Sequence, residues 1–526
     1  MRRKIKYLFA LFFSLSLLVA CSSPSNENGS GENGDGSAGG TLNIGLSANP
    51  SNLDPTKYTG VYESNVIRQL GDTLVIYNED YTDFEPSLAT DWEISDDGKT
   101  YTFNLRDDVH FQAGEYQDGR QMTAEDVKYS LERSAFESSL NRLTGVDQVE
   151  VLDDYQVAVH LTAPNAPFMN MLTDAGNVIV PEEEVEGWGD QFEQKFIGTG
   201  PFALDNYTAG QRIDLVSHEN YWGETPNLEG VSFRVIEDPT QMSNSLLAGD
   251  THIATDVSGQ SREIIEEDAN TELVSVPGFS INYIDLNNVE GPTADPEVRQ
   301  AIIMATNKED MIQGVNQWGG AEASLSPIPP ASWGYPENPE DLTVDYDPEG
   351  AKELLAAAGY PDGFEIDFYA SESRMDYATI FQSQMKENLN IDVNLHPQEW
   401  GTYSETVASG QAGMNLGGWS WGPDPYFYLN KLFHSDEIGA LGNGKGYSNE
   451  EVDALLDAAQ IELDQEKRYD LYQDALEIIM SDYTRIELES SEKADGISED
   501  VEGYTVRADN SIIIVSSDGT NVSLKE

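Results

Sequence analysis

One cysteine, six histidines and 29 basic residues set against 94 acidic ones leave this chain of 526 residues short of several kinds of chemistry. With Cys21 as the only thiol, no disulfide can form within the chain. The histidines stand apart at positions 110, 160, 218, 252, 396 and 434, so the close spacing that zinc or haem ligation uses is absent and no metal or cofactor is expected. A formal charge of -65 and a pI near 4.1 repel nucleic acid and anionic membrane alike, and suit a saline or alkaline exterior whose salt screens the self-repulsion. Neither a Gly-x-Ser-x-Gly elbow nor a His-Glu-x-x-His helix occurs, which removes the usual signatures of nucleophilic and zinc hydrolysis. Gly98-Lys99-Thr100 resembles the end of a phosphate loop, but Glu93 stands where its first glycine belongs.

The longest apolar run, Tyr7 to Ala20 behind Arg2, Arg3, Lys4 and Lys6, is too short to span a bilayer permanently and reads as a secretory signal over residues 1–20. It ends Leu18-Val19-Ala20-Cys21, which resembles the lipobox of bacterial lipoproteins and makes Cys21 the expected site of lipid attachment. Residues 22–40 are Ser, Asn, Gly, Glu and Asp with almost nothing to bury, so 21–40 is expected to be a lipidated cysteine followed by a disordered tether. Such a chain reaches roughly 25 Å root-mean-square, enough to hold a body off the membrane that anchors it. The arrangement suits a Gram-positive cell and the outer face of its cytoplasmic membrane.

What remains is long enough for two or more domains, at roughly 100–200 residues each. Its most unusual stretch runs from Gly417 to Asn430. Two indoles, three other rings and one carboxylate crowd together there, and Pro423 and Pro425 bias their neighbours away from helix, so Trp419, Trp421 and Asp424 are expected on a bent loop. Rings and a fixed charge in one loop suit a ligand as well as a core. Elsewhere, Leu42, Ile44 and Leu46 alternate as a first strand, and Asp96-Asp97-Gly98 turns a hairpin into the alternating Tyr101, Phe103 and Leu105. Thr123 with Asp126, Asp295-Pro296, Asp347-Pro348, and Ser448 with Glu451 read as helix starts, and Gly359 as a stop.

Trp92-Glu-Ile-Ser-Asp-Asp-Gly-Lys-Thr-Tyr-Thr-Phe-Asn-Leu-Arg106, Val109-His110-Phe111 and Met122-Thr-Ala-Glu-Asp-Val127 together resemble the hallmark region of family 5 extracellular solute-binding proteins, the receptors of peptide and nickel ABC importers. Ile197-Gly-Thr-Gly-Pro-Phe202 and Asn220-Tyr-Trp-Gly223 extend the likeness across nearly everything after the tether. The resemblance implies an α/β, two-lobed clamp of the periplasmic-binding-protein kind (type II, cluster C). Lobe I would take 41–277 plus 488–526, with 63–195 as an inserted subdomain, and lobe II would take 278–487. The chain would cross between lobes near 277–285 and 485–491.

The same resemblance implies the ligand chemistry. Asp424 falls where dipeptide-binding relatives grip the peptide amine, and Arg374 where they hold its carboxylate, a task suited to a guanidinium fork. Trp400, Trp419 and Trp421 are candidate pocket walls, with Tyr58 a candidate from lobe I. The expectation is a monomeric, lipid-anchored receptor that captures a di- or oligopeptide, delivers it to an ABC permease and its ATPase, and does no covalent chemistry. An oligosaccharide receptor of the same family remains open, since aromatic clefts suit sugars, and a glycosidase is the reading from another class.

Overall fold

The computed structural model describes residues 39–138, 142–398 and 400–525, apart from the side chains of Ser373 and Trp400. The expected signal, Cys21 and most of the tether lie outside the described residues. Gly39 and Gly40, at the tether's expected end, are already tied to the body: Gly39 N donates to the Asn227 carbonyl at 2.7 Å, and the Gly40 carbonyl accepts from Glu229 N at 2.9 Å. No helix among the described residues is long and apolar enough to cross a membrane.

One eleven-stranded sheet runs through the molecule. At its centre two long strands, Thr271–Leu286 and Arg485–Ser498, pair antiparallel over most of their length. The ladder shifts register between Pro277 and Ser280 and again between Asn282 and Tyr283, and such bulges bend and twist a ribbon. Both stretches expected to cross between lobes are thus extended. To one side of the pair lie Met414–Ser420, Glu365–Ser371 and Asp392–Gln398; to the other lie Ile253–Ala254, Thr41–Leu46, Gly230–Val235, Arg212–Ser217 and Phe202–Thr208, and the eleventh strand, Ala321–Ala323, pairs with Arg485–Ser498 off this row.

Each half of the sheet has its own apolar core. Leu42, Ile44, Val231 and Phe233 pack with Val66, Ile67 and Leu70 of the helix Val61–Leu70. At the far end Phe368, Ala370 and Leu416 pack with Phe381 and Met385 of the helix Met375–Leu389. A separate four-stranded antiparallel sheet, spanning 89–161, carries the alternation seen in the sequence: Tyr101, Phe103 and Leu105 point inward on Thr100–Leu105. They join a third core that takes in Phe427, Tyr428 and Tyr472 from helices in 426–481. The hairpin turns at Gly98, whose φ of +65 is the left-handed conformation that a glycine adopts without strain.

The helix starts at Thr123, Asp295 and Asp347 are present, the first as a full capping box. One is displaced: the helix Glu450–Ile461 is capped by Asn449, whose side chain accepts from Glu451 N and Val452 N, and not by Ser448. An Asn carbonyl directly before the first turn reaches those donors, which leaves the preceding serine without that task. Two expected core rings, Tyr101 and Phe103, are fully buried.

Candidate ligand-binding cleft

The Gly417–Asn430 stretch divides into three parts. The strand Met414–Ser420 includes Trp419, the loop 421–425 includes Trp421 and Asp424, and the helix Tyr426–Phe433 follows. The prolines therefore restrict less chain than the sequence suggests. Pro425 sits at the N-cap position, where its missing N–H costs nothing, and the bent segment is only five residues long. Within it three rings stack: Trp421 on Phe427 at 5.3 Å and 12°, and Trp421 on Trp419 at 6.1 Å and 23°. Trp419 Nε1 donates to the Phe427 carbonyl at 2.8 Å, which fixes the strand to the helix.

Trp421 and Phe427 of this stack form one wall of a cleft of ≈ 530 Å³, which Trp419 does not line. The opposite wall comes from residues 58–77, 142–174 and 509–510. There Tyr58 donates from its hydroxyl to Asp174 Oδ1 at 2.8 Å, and the Arg142 guanidinium lies 3.7 Å over its ring. Arg142 also bonds both Asp174 oxygens, at 3.0 and 3.1 Å, and the Tyr58 carbonyl. Burial, reinforced by Asp174, holds the Tyr58 hydroxyl well above its ordinary pKa, so it stays a donor. Asp509 accepts from the Tyr81 hydroxyl and from Ser511 N and Oγ, all at Oδ1. Burial alone would raise the pKa of Asp509, but the guanidiniums of Arg507 and Arg68 and the hydrogen bonds from Ser511 together outweigh it and hold the carboxyl below its usual value.

The expected site residues fare differently. Tyr58 and Trp421 both line the cleft, and Trp421 is half exposed, at 50%. Trp419 stands behind Trp421, partly packed into the core. Trp400 begins the helix Trp400–Ala408, and its side chain lies outside the described residues. Asp424 does not line the cleft. It is fully buried, Arg468 Nη2 lies 2.9 Å from each of its oxygens, Asn170 Nδ2 donates to Oδ2 at 3.0 Å, and Tyr426 N donates to Oδ1. A ligand amine would find no free carboxylate oxygen there. Asn170 in turn accepts from the Tyr77 hydroxyl at 2.8 Å, so the network joins the two walls from beneath.

Arg374 sits between the strand Glu365–Ser371 and the helix Met375–Leu389. Its guanidinium lies over Gly418: a Cβ there would stand 2.4 Å from Arg374 Nη2 and 2.4 Å from Asn282 Oδ1. Arg374 is not among the residues that line the cleft; the lining residue nearest to it on that strand, Ser420, stands two positions beyond Gly418 on the same face. Arg374 Nη1 is buried without a hydrogen bond. Sequence reasoning missed Arg68, Arg142, Asp174, Asn170 and Arg468. The family resemblance that pointed to Arg374 did not point to Arg68 or Arg142, and the Asp424–Arg468 and Asn170–Asp424 contacts join segments with no local signature.

Two lobes of mixed α/β structure around a shared sheet, with a cleft walled from both sides, define a periplasmic-binding-protein-like clamp of type II with an extra subdomain. The chain belongs to the bacterial extracellular solute-binding proteins, family 5, whose middle region matches residues 83–440. It is 30% identical to heme-binding protein A of Haemophilus influenzae over 95% of this chain and 96% of that protein. It is 31% identical to di/tripeptide-binding protein 3 of Pseudomonas aeruginosa over 82% of this chain and 86% of that one. Among solved structures, the periplasmic binding protein DppA of Helicobacter pylori in complex with the peptide STSA superimposes with a TM-score of 0.78 at 28% identity, covering 93% of this chain and 99% of that one.

Proposed function

We propose that this chain is the substrate receptor of an ABC importer and that its cleft takes short peptides. The observation that carries the reading is the cleft's composition: stacked rings on one wall face charged and hydroxyl groups of both kinds on the other, which matches a ligand having an amine, a carboxylate and side chains. Asp509, whose Oδ1 alone is spent on Tyr81 and Ser511, is the carboxylate for a ligand amine, and Arg374, held beside Gly418, is a fork for the terminal carboxylate. The peptide-binding relatives from Pseudomonas and Helicobacter support the same ligand class. In this reading the lobes are 41–277 with 488–526, and 278–487, and they close by bending at the paired central strands. Cys21 carries the lipid, the permease and its ATPase receive the peptide, and no bond in the ligand is made or broken.

An oligosaccharide would use the stacked rings of Trp421 and Phe427 but would leave the charged groups unanswered, which favours the peptide. Haem is the third probe, after the Haemophilus relative, although no histidine lines the cleft among the described residues. Thermal unfolding with pooled di- to pentapeptides, with oligosaccharides and with haem separates the three. A ligand at 100 times its Kd stabilises by about 2.7 kcal/mol, and peptides are expected to be the probe that does so. Stabilisation by sugars or haem alone sinks the peptide reading. Loss of palmitate labelling in Cys21→Ser tests the anchor.

A further inference from the structure

Among the described residues, Arg68 and Arg374 are the two arginines that make neither a hydrogen bond nor an ion pair, in a chain with 94 acidic residues to offer. Arg374 has a role in the reading above; Arg68 has none. It lies in the last turn of the helix Val61–Leu70, on the wall opposite the ring stack. Its Nε is buried without an acceptor. Besides the cleft it lines two smaller cavities, of ≈ 30 and ≈ 50 Å³. Asp509 is close enough to feel its charge, yet Asp509 spends Oδ1 on Tyr81 and Ser511 and forms no ion pair with Arg68.

The charge balance of the cleft points the same way. Its lining has three cations, Arg68, Arg142 and Lys431, and two carboxylates, Asp174 and Asp509, a positive excess of one inside a protein of net charge -65. Arg142 is consumed by Asp174, and Lys431 bonds Glu437 at 2.6 Å. The unspent charge is therefore that of Arg68. A buried guanidinium nitrogen without an acceptor is costly, and a planar fork of this kind is matched by a carboxylate.

We propose that Arg68 receives a carboxylate additional to the peptide's terminal one, so that the cleft selects peptides containing an aspartate or glutamate residue. The inference rests on the peptide reading and adds the side chain that the receptor prefers. Arg68 is a specificity-determining residue, and no covalent step is involved.

The test titrates the full chain calorimetrically with Ala-Glu-Ala and Ala-Gln-Ala, and with the C-terminal amide of each. The wild-type chain is expected to bind the glutamate peptide tighter by on the order of 10- to 100-fold, the range of a charge-assisted hydrogen bond. In Arg68→Gln the two peptides are expected to bind equally, and an unchanged thermal midpoint shows the variant to be folded. Arg68→Lys, keeping the charge without the fork, retains part of the preference. Three results overturn the inference and leave the peptide reading standing: equal affinity for the two peptides in the wild-type chain, a preference that survives in Arg68→Gln, or a loss that follows terminal amidation instead of the side chain. No binding of any of the four peptides, or of the pooled di- to pentapeptides, overturns both.

Discussion

Arg468 Nη2 lies 2.9 Å from both carboxylate oxygens of Asp424, and neither side chain has meaningful contact with solvent. The rings of Trp333 and Tyr472 flank the guanidinium at 5.2 and 5.6 Å, and its Nε donates to the Ala459 carbonyl at 3.1 Å. Removing one partner of such a pair strands a buried charge. Arg468→Met should cost about 3–5 kcal/mol of stability, read as a lower thermal midpoint, and Asp424→Leu in the same chain should recover much of that loss. If Asp424→Asn instead left the midpoint unchanged and abolished peptide binding, Asp424 would serve the ligand and not the fold.

Trp421 offers the opposite profile. It is half exposed and its ring contributes to the cleft wall through the stack on Phe427. Trp421→Ala should weaken ligand binding by about 1–2 kcal/mol, roughly 5- to 30-fold, with little change in midpoint. A large midpoint loss with unchanged affinity would make the ring structural.

Gly418→Ala probes Arg374 without touching its charge. The added methyl would meet the guanidinium at 2.4 Å and displace it. Peptides with a free C-terminus should then bind roughly tenfold more weakly, and their C-terminal amides should be unaffected. An equal loss for both would place Arg374 outside carboxylate recognition.

Lys445 gives the pH dependence. It is buried 3.7 Å from Asp285, which is itself buried, and its Nζ donates to the Leu432 carbonyl. Burial pushes the amine down to about 8, with Asp285 opposing. A lysine with a lowered native pKa binds fewer protons folded than unfolded between about 8 and its ordinary value near 10.4, so stability from this group rises with pH across that window and its cost is fully present below it. The midpoint of the wild-type chain should therefore gain on that of Lys445→Met as pH goes from 8 to 10. A constant difference would show that Lys445 does not titrate there.

Much of the fold was legible because it is written in local patterns. The alternation of Tyr101, Phe103 and Leu105, the turn at Gly98 and the capping box at Thr123 each need only a few adjacent residues. The cleft was legible in part. Trp421, a ring beside Pro423 in the sequence, lines it, and so does Tyr58, which the family resemblance offered. Asp424 shows where such reading stops. Its partners, Asn170 and Arg468, lie 254 and 44 residues away, and no local pattern announces that they will consume its carboxylate. Asn449 in place of Ser448 is a smaller instance, a choice between adjacent caps that is settled by which side chain reaches the first turn.

Calorimetric titration of the wild-type and Trp421→Ala chains, in high salt, with mixed di- to pentapeptides and then with oligosaccharides decides between the peptide and the sugar. Saturable heat is expected with peptides, weaker in Trp421→Ala and weaker again after N-acetylation of the ligand, and none with sugars. Heat with oligosaccharides and none with peptides would contradict the peptide reading.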